Sequence, residues 1–242
     1  MAIRRLERTA RPVIPPVSRD RPLPAAFSQE WAWIIQGGPI SSKLNMPQAV
    51  RLRGRLEVKV INRALTEIVS RHEVLRTYFH PEGEELQVRI EPVPAKFPMP
   101  MVDLSRLPAA EREELAASMA NRHANMAFDL RQPPLFVAAM LRLAGPKQEQ
   151  LDHMLLINMH HILGDGWSLN ILTQEFMILF QAFSQGRPSP LGKLPFQFTD
   201  FAYWQRQALA TGALDNHMSY WREQLSGDRE RNSSANNCPY PS

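Results

Sequence analysis

The fold of this chain is decided by residues 159–168, Met-His-His-Ile-Leu-Gly-Asp-Gly-Trp-Ser, which join an apolar strand to an amphipathic helix. Upstream, residues 151–159 are mostly apolar, and side chains two apart in a strand share one face. Asp165 and Gly166 are typical of a tight turn, and Ser168 is a good helix N-cap. Downstream, apolar residues recur at helical spacing: Leu169, Leu172, Phe176, Leu179, Phe180 and Phe183. The stretch therefore predicts a strand, a sharp turn and a helix.

Two neighbouring histidines lie at the end of this predicted strand. Adjacent strand residues point to opposite faces, so His160 and His161 are expected to have different roles. An imidazole titrates near neutrality, and a positioned one can accept and return a proton. Three plainer alternatives remain open at this point. The histidines can be half-buried structural residues, they can ligate a metal with partners found elsewhere, or Asp165 can serve only as a turn residue.

The rest of the chain alternates between strand and helix patterns. Strands are expected at 49–53, 75–80, 86–90, 135–143 and 151–159, with the two at 75–80 and 86–90 forming a hairpin around 81–85. Helices are expected around Ile61 to His72, at 111–127, after residue 168, and near 199–210 and 214–225. His123 is expected at the edge of the core. These patterns predict an α/β two-layer sandwich in which helices cover a mixed sheet.

Composition limits the classes of protein to which this chain can belong. The chain has 242 residues, of which 44% are hydrophobic, so it can bury a sizeable core. It has no apolar run long enough to span a membrane and no signal peptide, and its single cysteine, Cys238, cannot form an intrachain disulfide. A cytoplasmic location is therefore expected. The net charge of +4 is mild and includes no basic stripe with aromatic residues, which argues against nucleic-acid binding.

Four segments resemble motifs of one protein family. Residues 160–166 resemble the HHxxxDG motif of chloramphenicol-acetyltransferase-like acyltransferases. Residues 71–79, RHEVLRTYF, resemble the RHExLRTxF motif of condensation domains in non-ribosomal peptide synthetases, and residues 198–205, FTDFAYWQ, resemble their YxDFAxWQ motif. Residues 27–33 match the opening motif more weakly, since Trp31 and Ala32 stand where Arg-Leu is usual. The resemblance implies a chloramphenicol-acetyltransferase-like lobe.

The resemblance also implies a reaction, amide-bond formation between two substrates carried as thioesters on the phosphopantetheine arms of carrier proteins. No directly bound cofactor or metal is expected. His161 matches the catalytic histidine of the motif, as base or positioning group. His160 is expected to hold the turn, and Asp165 to form a structural ion pair, with Arg76 as the expected partner. The plainer interpretation of Arg71, Glu73 and Arg76 is a surface ion-pair cluster.

Three further residues are expected to support this reaction. Gly166 is expected to leave backbone room beside the reacting carbonyl. Trp167 and Ser168 lie at the helix N-terminus, where free N–H groups can stabilise an oxyanion.

The resemblance suggests three regions. Residues 1–22 are expected to be a flexible basic, proline-containing arm, residues 23–227 the N-terminal lobe, and residues 228–242 a disordered tail. Motifs of the family's second, C-terminal lobe are absent, which suggests a truncated gene product, a frameshift or a one-lobe version. We therefore expect the chain to need that missing lobe, along with carrier-protein partners, and to be inactive alone.

Two alternatives use the same motif differently. One is a stand-alone acetyltransferase-like enzyme that completes its site between the protomers of a homo-oligomer. Those enzymes carry HHxxxDG near the C-terminus, whereas a long helical stretch follows the motif here. The other alternative is a non-catalytic remnant.

Overall fold

The structure, a computed structural model, describes residues 13–54, 57–144 and 152–226. In chain order its elements are β1 (Leu23–Pro24), α1 (Phe27–Gln36), β2 (Ile40–Ser41), β3 (Gln48–Arg53), α2 (Val58–Arg71), β4 (Thr77–Glu82), β5 (Glu85–Ile90), β6 (Met101–Asp103), α3 (Ala109–Ala124), β7 (Phe128–Asp129), β8 (Phe136–Arg142), β9 (Asp152–Met159), α4 (Gly166–Ser184), α5 (Phe198–Ala210) and α6 (Asp215–Ser226). Two 3-10 turns, Glu73–Arg76 and His161–Leu163, precede β4 and α4.

A four-stranded mixed sheet forms the centre, in the order β3-β9-β8-β6. The β3, β9 and β8 strands pair antiparallel, and β6 pairs parallel to β8. Both predicted apolar strands are confirmed, within one residue of their expected bounds. They run antiparallel, with Ala138 opposite Ile157. The predicted mixed α/β architecture, a sheet covered by helices, is therefore confirmed.

The central sheet is buried on both faces. Met140 and Leu155 enter the larger core, which α2 and α4 help to form, whereas Leu141 and Leu156 enter a smaller core with Ala116 of α3. Because neighbouring strand residues point to opposite faces, a continuous apolar run such as that of β8 indicates burial on both sides. The α3 helix thus adds a covering to the face opposite α2 and α4, beyond the expected two layers.

A second sheet contains the predicted hairpin, in the order β1-β5-β4. The hairpin is tighter than expected, since Pro81 pairs with Leu86 and Glu82 with Glu85. Gly83 occupies the turn with a φ of 63°, a conformation that glycine adopts without steric cost. The start of β4 also moves to Thr77, because residues 73–76 form a 3-10 turn.

The segment before β1 differs from the expected flexible arm. The amide of Val17 donates to Asp200 Oδ1 at 2.9 Å, and Arg19 pairs with Glu73 and Asp200 at 2.6 Å each. Val17, Arg19 and Arg21, whose guanidinium donates to the Tyr203 hydroxyl at 2.9 Å, therefore contact the lobe. Residues 1–12, the expected tail at 228–242 and the polar loop 145–150 lie outside the described residues. No helix in the described ranges is long and apolar enough to cross a membrane.

Candidate active site

The two histidines lie where β9 ends and the chain turns toward α4. His160 forms an isolated bridge with Asn45 just beyond the last strand residue, and His161 begins the 3-10 turn. Gly164 and Asp165 then lead into α4. The expected sharp turn at Asp165 and Gly166 is therefore preceded by a 3-10 turn at the histidines.

The His160 side chain is completely buried. Its Nδ1 accepts a hydrogen bond from the Ile162 amide at 3.1 Å, and its ring packs edge-on against Phe128 at 6.2 Å. Burial, followed by the nearby His161, lowers the pKa of His160 to about 4. The ring is therefore neutral at pH 7, and the lone pair on its Nδ1 accepts the hydrogen bond from Ile162 that stabilises the 3-10 turn.

His161 is exposed, in contrast to its neighbour. Its backbone amide donates to the Leu44 carbonyl at 2.8 Å, which anchors the residue through the main chain. Its imidazole makes no hydrogen bond to any residue that the structure describes, and it lines an open cleft. The geometry thus leaves this imidazole available for a ligand.

Asp165 is the N-cap of α4, a role that sequence analysis assigned to Ser168. Its Oδ1 accepts hydrogen bonds from the amide and from the hydroxyl of Ser168, each at 2.8 Å. The bond from the Ser168 amide contributes most to lowering the pKa of Asp165. The prediction for Ser168 was wrong because a carboxylate three residues before an amide satisfies that orphan donor directly.

The expected ion pair between Asp165 and Arg76 is not formed. The Arg76 guanidinium instead donates to two backbone carbonyls, those of Val69 at 3.0 Å and of Glu91. Burial lowers the pKa of this guanidinium. The Arg76 side chain therefore links the last turn of α2 to Glu91, the residue that follows β5. The predicted partner of Arg76, the Asp165 carboxylate, was wrong.

The N-terminus of α4 supplies fewer free donors than expected, since the Ser168 amide is used by the cap. The amides of Gly166 and Trp167 have no acceptor within the described chain, and the Trp167 side chain is exposed. A Cβ on Gly166 would meet nothing within 4 Å, whereas a Cβ on Gly164 would lie 2.8 Å from Ser168 Cβ. Sequence analysis missed Gly164, the glycine that the turn requires for close approach.

His161 and Asp165 open onto a cleft of about 370 Å³ between α1, α4 and the 3-10 turn at residues 73–76. The lining is mostly apolar, with Ser28, His72 and Ser168 as its other polar side chains. No group of three or more histidine, cysteine or acidic side chains that could hold a metal occurs in ranges 13–54, 57–144 and 152–226. Such a cleft suits an organic ligand oriented by a few polar groups.

The RHEVLRT stretch forms partly buried ion pairs. Arg71 Nε and His72 Nε2 both contact the Glu175 carboxylate of α4, at 3.0 and 2.6 Å. Glu73 pairs with Arg19, which also reaches Asp200. For Arg71 and Glu73 the ion-pair interpretation is thus closer to the geometry than a role at His161, whereas Arg76 forms no ion pair with a described residue. Sequence analysis missed Glu175 and Arg19, because nothing in the local pattern links them to residues so far away along the chain.

The contacts of Asp200 show a structural role for the FTDFAYWQ segment. Its Oδ2 accepts from the Gln197 amide at 2.7 Å, which caps α5, while its Oδ1 receives Val17 and Arg19. Burial by itself would raise the pKa of this carboxyl, but the hydrogen bonds from Arg19 and from the two backbone amides together lower it. The segment therefore joins α5 to the N-terminal residues.

Comparison with known proteins gives a consistent result. The profile of the condensation domain family matches residues 21–237. A linear gramicidin synthase of Brevibacillus parabrevis is 38% identical over 213 residues, which make up 88% of this chain and 4% of that protein. Chondramide synthase cmdD of Chondromyces crocatus is 37% identical over 205 residues, 84% of this chain and 5% of that protein.

Solved structures share the fold. The X-domain from teicoplanin biosynthesis, in a complex with OxyB, has a TM-score of 0.72 and 26% identity, covering 90% of this chain and 46% of that one. The starter condensation domain of rhizomide synthetase RzmA has a TM-score of 0.72 and 23% identity, covering 84% and 50%. This chain therefore spans about half of these structures and a small part of the synthetases.

Proposed function

The chain belongs to the condensation domain family, and we propose on this basis that it supplies the histidine-bearing lobe of an enzyme that forms amide bonds. Its substrates are two thioesters, one donating an acyl group and one presenting an amine. They are carried on phosphopantetheine arms of carrier proteins, which are the proposed partners together with a second, C-terminal lobe. The proposed setting is the cytoplasm, where such synthetases would meet their amino-acid substrates.

In the proposed reaction the amine nitrogen attacks the thioester carbonyl. A C–N bond forms, the C–S bond breaks, and the thiol of the donor arm leaves. The nitrogen loses one proton, and the thiolate gains one, so a group that accepts and returns a proton serves both steps. His161 is the proposed group, because it is exposed on the cleft and its imidazole has no hydrogen-bond partner in the described chain.

The neighbouring residues have proposed supporting roles. His160 fixes the 3-10 turn that presents His161, through its bond from the Ile162 amide. Asp165 and Ser168 cap α4, which orients the free amides of Gly166 and Trp167 toward the site of oxyanion formation. Arg76 supports the site only at a distance, by joining backbone carbonyls.

The test is amide formation between two carrier-bound substrates by this chain completed with a matching second lobe. We expect His161→Ala to reduce the rate by about 10²–10⁴-fold, the usual contribution of a positioned acid or base. His80→Ala is the control, because His80 is exposed on β4 and outside the cleft. Activity that survives in the His161 variant would overturn the assignment.

The chain alone is expected to show negligible condensation. Holding two reactants together supplies roughly 7–11 kcal/mol of such a barrier, and one wall of a site holds them poorly. Robust amide formation by monomeric chain 1–242 would contradict this expectation.

A non-catalytic binding module is the second candidate. The observation that favours it is that a relative of the same fold, the X-domain, was solved in a complex with another protein, OxyB. In that case the completed protein would bind carrier partners without forming product, and His161→Ala would leave binding unchanged.

A further inference from the structure

Two helices present equivalent faces to the cleft beside His161. On α1 these are Ser28, Trp31 and Ala32, and on α4 they are Ser168, Ile171 and Leu172. Both sets have the spacing i, i+3, i+4, which places three side chains on one face of a helix. Each helix therefore contributes one serine and two apolar side chains to the lining of the cleft.

Apart from His161 and the Ser28 hydroxyl, the polar side chains of this cleft already have hydrogen-bond or ion-pair partners. Asp165 Oδ1 is held by Ser168, and His72 Nε2 contacts Glu175 Oε2 at 2.6 Å. Glu175 in turn pairs with Arg71 at 3.0 Å, so its charge is compensated outside the cleft. Among the lining residues the one permanent charge is the Asp165 carboxylate, which is negative. The cleft thus offers no permanent cation to receive an acidic group.

We propose that this cleft is a specificity pocket that receives an uncharged, apolar side chain of one thioester substrate and discriminates against acidic side chains. The inference rests on the proposed function, which it deepens by naming the substrate class. Burial of each methylene group favours association by roughly fourfold, whereas a carboxylate would lose water and face Asp165. Trp31 and Ile171 are the proposed determinants, since both line the cleft and are 59% and 42% exposed without a ligand.

Binding to the chain itself tests this inference without requiring catalysis. The probes are the N-acetylcysteamine thioesters of Nα-acetyl-leucine, Nα-acetyl-lysine and Nα-acetyl-glutamate, whose blocked α-amines leave the side chain as the variable. Fluorine NMR of 5-fluorotryptophan-labelled chain reports binding through the Trp31 signal, which is assigned by its loss in Trp31→Phe. We expect the leucyl probe to bind at least tenfold more tightly than the glutamyl probe, with the lysyl probe between them.

A charge introduced on α4 provides the second arm. Ile171→Lys is expected to weaken the leucyl probe and tighten the glutamyl probe, each by at least threefold. Ile178→Lys is the matched control, because Ile178 is 44% exposed on the same helix, is also within one turn of Glu175, and does not line the cleft. It should leave both dissociation constants within twofold of the parent.

Equal binding of leucyl and glutamyl probes, or no shift of the Trp31 signal by any probe, would overturn the specificity inference. The same holds if the two lysine variants behave alike. None of these results depends on product formation. Failure of the proposed function would instead appear as absent amide formation in the completed enzyme while the order of probe affinities persists.

Discussion

At the scale of single residues, burial gives two adjacent and chemically identical side chains, those of His160 and His161, different properties. His160 has no exposed surface and a pKa of about 4, whereas His161 is exposed. An unfolded chain would protonate His160 near its ordinary pKa of about 6.5. The folded chain resists that proton, so acid favours unfolding.

His160 should therefore make stability depend on pH in a defined direction. Its folded pKa lies below the unfolded value, so between about pH 6.5 and 4 the unfolded state binds more protons and stability falls as pH falls. We expect wild type to lose about 1–2 kcal/mol more than His160→Asn between pH 7 and pH 5. Urea denaturation at both pH values measures this difference, and equal losses would contradict the effect ascribed to burial. His153 is also buried, and burial lowers its pKa, but it is present in both wild type and His160→Asn, so its contribution cancels in the comparison.

Gly164 and Gly166 form a matched pair for a second test. We expect Gly164→Ala to destabilise the fold by about 1–3 kcal/mol, because the new Cβ would lie 2.8 Å from Ser168 Cβ and disturb the cap. Gly166→Ala should instead be neutral or stabilising by about 0.5–1 kcal/mol, since its position is helical and open. Thermal unfolding of both variants checks this order, and the reverse order would show that the turn tolerates a side chain at residue 164.

Sequence reasoning found the residues of this site more reliably than their contacts. The expectation that His160 and His161 have different roles agrees with their opposite burial, although the strand ends at Met159 and His161 already belongs to the 3-10 turn. The partners of Asp165 and Arg76 were predicted wrongly, because nearby backbone donors and acceptors compete with distant charges for flexible side chains. Gly164 was missed because one glycine in a turn gives no sign of which neighbouring side chain approaches it.

At the scale of secondary-structure elements, α4 is held at two places. Asp165 caps its start, and Glu175, near its middle, receives Arg71 and His72 from the end of α2. Arg71 and Glu175 side chains are only 15% and 13% exposed. Their pairing is therefore less screened by water than a surface ion pair.

This difference in burial predicts a difference in coupling energy. A double-mutant cycle with Arg71→Ala and Glu175→Ala should give a coupling of about 1–3 kcal/mol. The Arg131–Asp129 pair, 42% and 19% exposed, serves as control and should give less than about 1 kcal/mol. Urea denaturation of the single and double variants measures both cycles. Equal coupling would mean that the Arg71–Glu175 contact stabilises no more than a surface pair.

Element types were predicted well wherever periodicity was strong. The β8 and β9 strands, α2 and α5 appear close to their expected bounds. The boundaries that moved have local causes, such as the 3-10 turn at residues 73–76, which a strand pattern conceals. The covering of the second sheet face by α3 was missed because its apolar positions give no sign of which face they contact.

At the scale of the whole molecule, α1 exposes an apolar stripe of Trp31, Ile34 and Ile35, at 59%, 73% and 46% exposure. Contiguous apolar surface of this kind favours association. We therefore expect the isolated chain to self-associate with increasing concentration.

Ile34→Lys should reduce that association, since it places a charge within the stripe. Val13→Lys is the control, because it adds the same charge at an 85% exposed position that is not part of α1. Sedimentation velocity over a hundredfold concentration range measures the mass of each species. A wild-type chain that stays monomeric throughout, or equal effects of both lysines, would contradict the role of α1.

The segment before β1 has a consequence for protein engineering. The family match begins at residue 21, yet Arg19, two residues earlier, pairs with both Glu73 and the buried Asp200. A domain excised or exchanged at the matched boundary would discard that cation and leave two carboxylates without their shared partner. A chimeric protein that uses this lobe should therefore place its junction before Val17, so that the transferred segment includes both Val17 and Arg19.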